Sequence, residues 1–519
     1  MLYNIIVSDN ERIDNEGTKA MKLTIRISAA ITGAALMLSL AAACGEQAET
    51  QTPASTTASA EIIETAPAET EPQRELPDLP SDKDYGGYEF NVIDKGAFNT
   101  HWTSRDVFAA EQTGDPINDA VYERNSKVEE KYNVKITEDA GQSDPASAAK
   151  KVALAGDDTY DFYAFSMQSY AALATQGLLL DWNKIPYIDL DRVWYDQNCR
   201  ESLSIGGKVY FASGDFNIMD KDATWAIMFN KNLARNLNLP DLYAMVNDGT
   251  WTMEALYSCM ANASADINGD GQHGYEDQWG MAGENWNTNA LVAAAGVKVF
   301  DKDENDMPFV AMNTERYFQA FEIASQIMGD RDKTMSSNWV TGFADVWEEC
   351  FHAAFKEDRL LFYFTGLNRC TLLRSMETDF GIVPNPKYTE SQERYYDLIS
   401  LGSGNGMAIP VTTQDTERTG IIVEALSAES KYTLTPAYYD ITLKTKLSRD
   451  EESAAMLDII FTSRVFELGL EFGWGGLFDL PGSLTGKGSD AIASSVAKKI
   501  PSAEKAMQKD LDKLAALEG

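Results

Sequence analysis

The sequence predicts an α/β fold, and three observations lead there. Beyond residue 85, short apolar strand-like segments alternate with segments of helical periodicity. Of the 519 residues, 44% are hydrophobic and 10% aromatic, enough for a sizeable core. That length suits three domains of about 150 residues or two large lobes. No internal repeat of fixed period is present.

The first twenty residues are polar and patternless. Met21-Lys22-Leu23-Thr24-Ile25-Arg26 then precedes a mostly apolar run, residues 27–43. A basic segment, an apolar core and small residues form the layout of a secretory signal, with translation expected to start at Met21. The run of about 17 residues is short for a membrane span, which needs about 20. Leu40-Ala41-Ala42-Ala43-Cys44-Gly45 resembles a bacterial lipobox, in which Cys44 would take a diacylglycerol. An ordinary signal-peptidase site is the alternative. Residues 46–81 are rich in Thr, Ala, Glu and Pro, and the stretch 44–84 is expected to be a disordered acidic tether.

In the body, Tyr88 to Ile93 alternates as a strand. Gly114-Asp115-Pro116 opens a helix with Ile117, Val121, Val128 and Tyr132 on one face. Val134 to Ile136, Tyr160 to Phe165, Lys208 to Ala212 and Thr224 to Phe229 read as strands. Helices are expected from Ser169 to Gly177, from Trp251 to Ala261, from a capping box at Ser448 and Glu451 to Phe461, and from Ser502 to Leu517. Cys199, Cys259, Cys350 and Cys370 form no C-x-x-C; two disulfides and buried free thiols are equally compatible with the sequence.

Charge narrows the function. There are 44 Lys and Arg against 80 Asp and Glu, a net charge of −36. Nucleic-acid phosphate and anionic lipid head groups would be repelled. The three histidines, His101, His273 and His352, are far apart, which disfavours a multi-histidine metal site, and H-E-x-x-H is absent. Gly482 to Lys487 falls one residue short of a phosphate-binding loop. Gly402, Gly404 and Gly406 lack dinucleotide spacing, and no G-x-S-x-G occurs. No catalytic residue is nominated.

One loop matches a calcium motif. Asp266, Asn268, Asp270, Gln272 and Asp277 occupy the ligand positions of D-x-[DN]-x-[DN]-G-x5-E, with Gly271 at the turn and Asp277 in place of the last Glu. A structural Ca²⁺ is one reading; a metal-free turn closed by Asp and Asn side chains is the other. Aromatic residues supply a second signal. Trp102, Tyr170, Trp286 and Trp474 sit beside turns rather than in apolar stripes. Flat rings with amides and carboxylates nearby suit a sugar, whose C–H faces stack and whose hydroxyls need paired partners.

Asp181 to Asn198 with Leu203 to Asp215, Ala226 to Leu233, Gly249 to Leu256, Asp266 to Gly280, Phe380 to Lys387, Gly406 to Pro410, Ala437 to Asp440 and Glu451 to Phe461 resemble, in this order, extracellular solute-binding proteins of family 1. These are sugar-binding components of ABC importers, and the nearest likeness is to the lipoprotein subgroup of clostridia-type bacteria. The resemblance spans about Tyr85 to Gly476. It implies a two-lobed, periplasmic-binding-protein-like (type II) α/β fold with an inter-lobe cleft and crossing hinge strands. Carried over, lobe one is 85–215 plus 395–430 and lobe two is 216–394 plus 431–519. The hinge lies near Ser213-Gly214-Asp215, Lys387-Tyr388 and Lys431-Tyr432. The resemblance nominates Ser166, Met167, Gln168, Tyr170, Trp225, Glu284, Trp286 and Phe364 as ligand contacts, with Trp102 and Trp474 added from the aromatic set. The function expected is a monomeric, lipid-anchored extracellular receptor that hands a carbohydrate, an oligosaccharide first of all, to ABC permease subunits. An extracellular hydrolase with a carboxylate pair and a surface adhesion module are the alternatives.

Overall fold

A computed structural model describes residues 74–99, 102–373, 376–444 and 451–517. The predicted signal, Cys44, the tether as far as residue 73 and the capping residue Ser448 lie outside the described residues.

The first sheet holds β1 (Tyr88–Asp94), β4 (Val134–Asp139) and β5 (Phe162–Ala164), all parallel in the order β4-β1-β5. Between β1 and β4 come the short pair β2 (Ala97–Asn99) and β3 (Trp102–Thr103), then the helix Pro116–Tyr132. This helix starts where the sequence says it should. The Asp115 carboxylate accepts from the amides of Ile117 and Asn118, Pro116 gives up no needed donor, and Asn133 ends the helix at φ 48°. Ile117, Val121, Val128 and Tyr132 are buried along it. The chain later returns to this sheet: Tyr163 and Ala408 exchange backbone hydrogen bonds of 2.9 and 3.0 Å.

The second sheet is larger and mixed. It holds β6 (Trp225–Asn230), β7 (Trp279–Gly283), β10 (Thr334–Ser336), β11 (Leu360–Gly366) and β12 (Phe380–Val383), in the order β10-β7-β11-β6-β12. Strands β7, β10 and β11 run parallel, while β6 runs against β11 and β12. Every residue of β6, β7 and β11 is buried, so these strands read as unbroken apolar runs covered on both faces. A hairpin of β8 (Phe300–Lys302) and β9 (Pro308–Val310) projects from this part, and its turn residue Asp306 accepts from Ser204 Oγ at 3.0 Å and the Gly207 amide at 2.9 Å.

Several expectations change. Lys208 to Ala212 forms only isolated bridges, to Ile205 and Met407, because no neighbour runs alongside for longer. The helix expected at Ser169 begins as a 3₁₀ turn and its α-helical part, Tyr170–Ala174, is short. The terminal helix is Ser489–Ala516 and runs through Pro501; Ile492 and Val496, ahead of the proline, are as buried as Ala503. Packing on that face outweighs the lost hydrogen bond of the proline. Residues 74–84, assigned to the tether, lie against the body: Glu75 pairs with Arg192 at 2.8 Å, its amide donates to the Tyr432 hydroxyl at 2.8 Å, and Leu79 packs on the first core. The four body cysteines are free and buried. Among the described residues, no helix is long and apolar enough to cross a membrane.

Candidate ligand site

The parallel strands of the second sheet end together, and β6 begins at that same edge. Register places Ser336 beside Gly283, and Gly366 beside Trp225. In open α/β sheets the loops beyond the carboxyl ends of strands are where ligands are held. Here those loops bring three expected residues together. Trp225 lies 5.1 Å from Trp286 with rings tilted by 44°, and 6.3 Å from Phe364. Trp286 also meets Phe478 at 6.2 Å. The Trp225 Nε1 proton is buried and has no hydrogen-bond partner among the described residues.

Glu284 stands two residues before Trp286, and its backbone is pinned. Its amide donates to Asn287 Oδ1 at 2.6 Å, and the Asn287 side-chain amide reaches the Phe364 carbonyl at 3.4 Å. The carboxylate itself makes no hydrogen bond or ion pair among the described residues. Burial raises its pKa to about 7, and no cation opposes the shift. Next to it, Asn338 Oδ1 accepts from the Asn285 amide at 2.6 Å and from Ser336 Oγ at 3.2 Å. Trp102 arrives from the first sheet's side, its indole tip over Gly366.

The first sheet supplies a second group. Ser166 Oγ donates to the carbonyls of Leu401 and Gly402 at 3.2 and 3.0 Å. Gln168 is exposed, with Nε2 at 3.4 Å from the Leu470 carbonyl. Met167 and Tyr170 are fully buried. The Tyr170 hydroxyl is used twice, accepting from the Phe165 amide and donating to the Gly406 carbonyl, and its ring stacks on Phe211. Trp474 is likewise in the core, stacked on Phe472 at 4.5 Å with Nε1 donating to Asp510. Met167, Tyr170 and Trp474, like the fully buried Phe364, therefore support the architecture instead of offering a face to solute. The turn-adjacent positions that suggested Tyr170 and Trp474 say nothing about which way the rings point.

Sequence reading missed Lys95, Ser336, Asn338 and Gly366. Lys95 Nζ donates to the carbonyls of Gly402 and Ser403 at 3.1 and 3.0 Å, and burial lowers its pKa to about 8. Lys95 follows a strand, a placement the sequence does display. Ser336 ends a strand of three residues, too short to show a period.

The loop 266–277 is held by its own amides. Asp266 accepts from Gly269 and Gly271, Asn268 from Asp270, and Asp270 from Gln272. Asp277 accepts from Ile267, Asn268 and Gly274, which lowers its pKa. Among the described residues no three His, Cys, Asp or Glu side chains are grouped as ligands of a metal. The shorter aspartate at the closing position turns to the amides of the loop.

No family model and no curated sequence matches the chain. Solved structures do. A cyclo/maltodextrin-binding protein complexed with maltotetraose aligns at TM-score 0.52 and 13% identity, over 82% of this chain and 96% of that one. M. tuberculosis UspC aligns at TM-score 0.51 and 13% identity, over 80% and 100%. The fold is periplasmic-binding-protein-like.

Proposed function

We propose that the protein is a lipid-anchored extracellular receptor that captures a carbohydrate, an oligosaccharide first of all, and delivers it to the permease of an ABC importer. The observation that carries this reading is the Trp225–Trp286 pair, 5.1 Å apart at the strand-end edge of the second sheet. It gains support from the fold shared with a protein named for binding cyclo- and maltodextrin, whose structure holds maltotetraose. The half-exposed Trp286 ring, backed by Trp225, would stack on sugar C–H faces, while the Glu284 carboxylate and the Asn338 side chain take hydroxyls.

The mechanism is differential binding. A solute touching Trp102 and Gln168 on one side and Trp225 and Trp286 on the other favours the closed arrangement of the lobes 85–215 plus 395–430 and 216–394 plus 431–519. No covalent step is required. Cys44 would carry the anchor and residues 46–73 the span to the body. Loop 266–277 is taken as a weak structural Ca²⁺ site.

A thermal-shift screen of neutral oligosaccharides, followed by chromatography of the recovered sugar, tests the receptor. A raised melting temperature with intact sugar is expected, reduced in Trp286→Ala. Cleaved sugar overturns the reading in favour of a hydrolase. Metabolic labelling with a radioactive fatty acid, lost in Cys44→Ser, tests the anchor.

A further inference from the structure

We propose that the turn from Leu480 to Lys487 sets the position of the Trp286 ring, and that Phe478, Gly482 and Thr485 act through that ring as positioning residues for the solute. This rests on the receptor reading and deepens it by naming what holds the stacking ring in place.

Gly482 to Lys487 is the glycine motif that falls one residue short of a phosphate-binding loop. Here its glycine serves close packing. A Cβ added to Gly482 would lie 3.1 Å from the Asn285 carbonyl oxygen, 3.2 Å from Asn289 Nδ2 and 3.5 Å from the Trp286 Cα. The first two distances are tighter than ordinary contact, so the loop carrying Trp286 would have to give way. The Gly482 amide also donates to Asn289 Oδ1 at 3.0 Å. Thr485 Oγ1 lies 2.7 Å from Thr288 Oγ1 and donates toward the Asn285 carbonyl at 3.3 Å. The turn therefore grips the residue before Trp286 and the second and third residues after it. Asn285 and Thr485 are 200 positions apart in the chain, so only the fold brings them together.

The turn is itself fixed from behind. Ser325 Oγ, buried on the helix Glu315–Gly329, accepts from the amides of Gly486 and Lys487 at 2.8 and 3.1 Å. Ahead of the turn, Lys499 of the terminal helix donates to the carbonyls of Gly475 and Gly476 at 3.1 and 3.4 Å. Gly475 packs so closely on that helix that a Cβ would meet the Ala503 Cβ at 2.6 Å. Phe478 and Gly482 thus stand on a frame anchored to two helices.

Exposure tells what this frame does for Trp286. The ring is half-exposed, and an indole with one open face can change rotamer. Held against Trp225 at 5.1 Å and Phe478 at 6.2 Å, it is ordered before a solute arrives. Less side-chain freedom is then lost on binding. Phe478 is buried, and Gly482 and Thr485 bring neither ring nor charge, so their effect passes through Trp286.

Fluorine NMR of protein labelled with fluorotryptophan reads the ring directly, with the Trp286 line assigned by its loss in Trp286→Phe. Gly482→Ala and Thr485→Val should each shift or broaden that line and weaken maltotetraose binding about ten-fold, with the melting temperature within a few degrees of the parent. Thr485→Ser, which keeps the hydroxyl, should restore both. Affinity lost while the Trp286 line stays in place, a line that moves with affinity unchanged, or no change in either overturns the proposal. Should Gly482→Ala fail to fold, the two Thr485 variants decide. If the line moves as expected but the parent binds no neutral oligosaccharide, the receptor reading falls and the positioning of Trp286 stands.

Discussion

The indole of Trp102 lies over Gly366 so closely that a Cβ added to the glycine would meet Cη2 at 2.9 Å. The same Cβ would meet the Asp222 carbonyl oxygen at 2.9 Å and Asn368 Oδ1 at 3.1 Å. A residue from the hairpin after β1 thus seats on the edge of β11, next to Trp225 in register. Gly366→Ala should lose about 1–3 kcal/mol of stability through overpacking. It should also weaken sugar binding by displacing Trp102. Adding Trp102→Ala should recover part of the stability, with a coupling of about 0.5 kcal/mol or more in a double-mutant cycle. Strict additivity by urea denaturation would show that the two do not press on each other.

Arg464 ties distant segments together. Its guanidinium pairs with Asp220 at 2.9 Å and with Asp196, and all three side chains are almost wholly buried. Asp220 also accepts from Ser213 Oγ at 2.8 Å, beside the expected hinge. Arg464→Leu strands two buried carboxylates and should cost about 3–5 kcal/mol. A loss below about 1 kcal/mol in chemical denaturation would mean the network is solvated, as surface pairs are.

Glu471 makes stability depend on pH. It is buried, accepts from the Ala171 amide at 2.9 Å, and burial raises its pKa to about 8 from an ordinary 4.5. Between these values the folded chain keeps a proton that the unfolded chain has released. Stability from this group is therefore complete at low pH and is lost as pH rises toward about 8. Glu471→Gln keeps an amide oxygen for Ala171 and removes the titration. The variant should melt higher than the parent at about pH 8 and close to it at about pH 5. Parallel melting curves across that range would exclude Glu471 as a source of the slope.

The loop 266–277 should respond to calcium weakly. Asp277 already accepts three amides, so ligation must compete with them. Affinity in the range of about 0.1–1 mM, as in extracellular modules, is expected. Millimolar calcium should raise the melting temperature of chelator-treated protein, and Asp270→Asn should remove most of the rise. Absence of any calcium effect in calorimetry would leave the loop as a turn closed by its own side chains.

What could be read without coordinates was local. The helix Pro116–Tyr132 followed from a capping Asp, a proline at the first turn and an apolar stripe, all within one segment. The same holds for the strand at Tyr88 and for the helix Met253–Ala263, capped by Thr252. Order along the chain then suggested two α/β halves. The start of the terminal helix was misjudged because a proline is a local signal, whereas the packing of Ile492 and Val496 that overrides it is not.

Amino-acid order alone therefore determined the α/β character, the acidic charge that disfavours nucleic-acid partners, and the main helix starts. Only the tertiary structure decided which aromatic residues meet at the strand-end edge of the second sheet. Tyr170 and Trp474 share the turn-adjacent setting of Trp286, yet the first two are buried and the third meets Trp225. The strand order β10-β7-β11-β6-β12 brings the loop after β7 beside the start of β6. Such neighbours arise from pairing between segments far apart in the chain, and side-chain direction there depends on what packs behind each ring rather than on the residues flanking it.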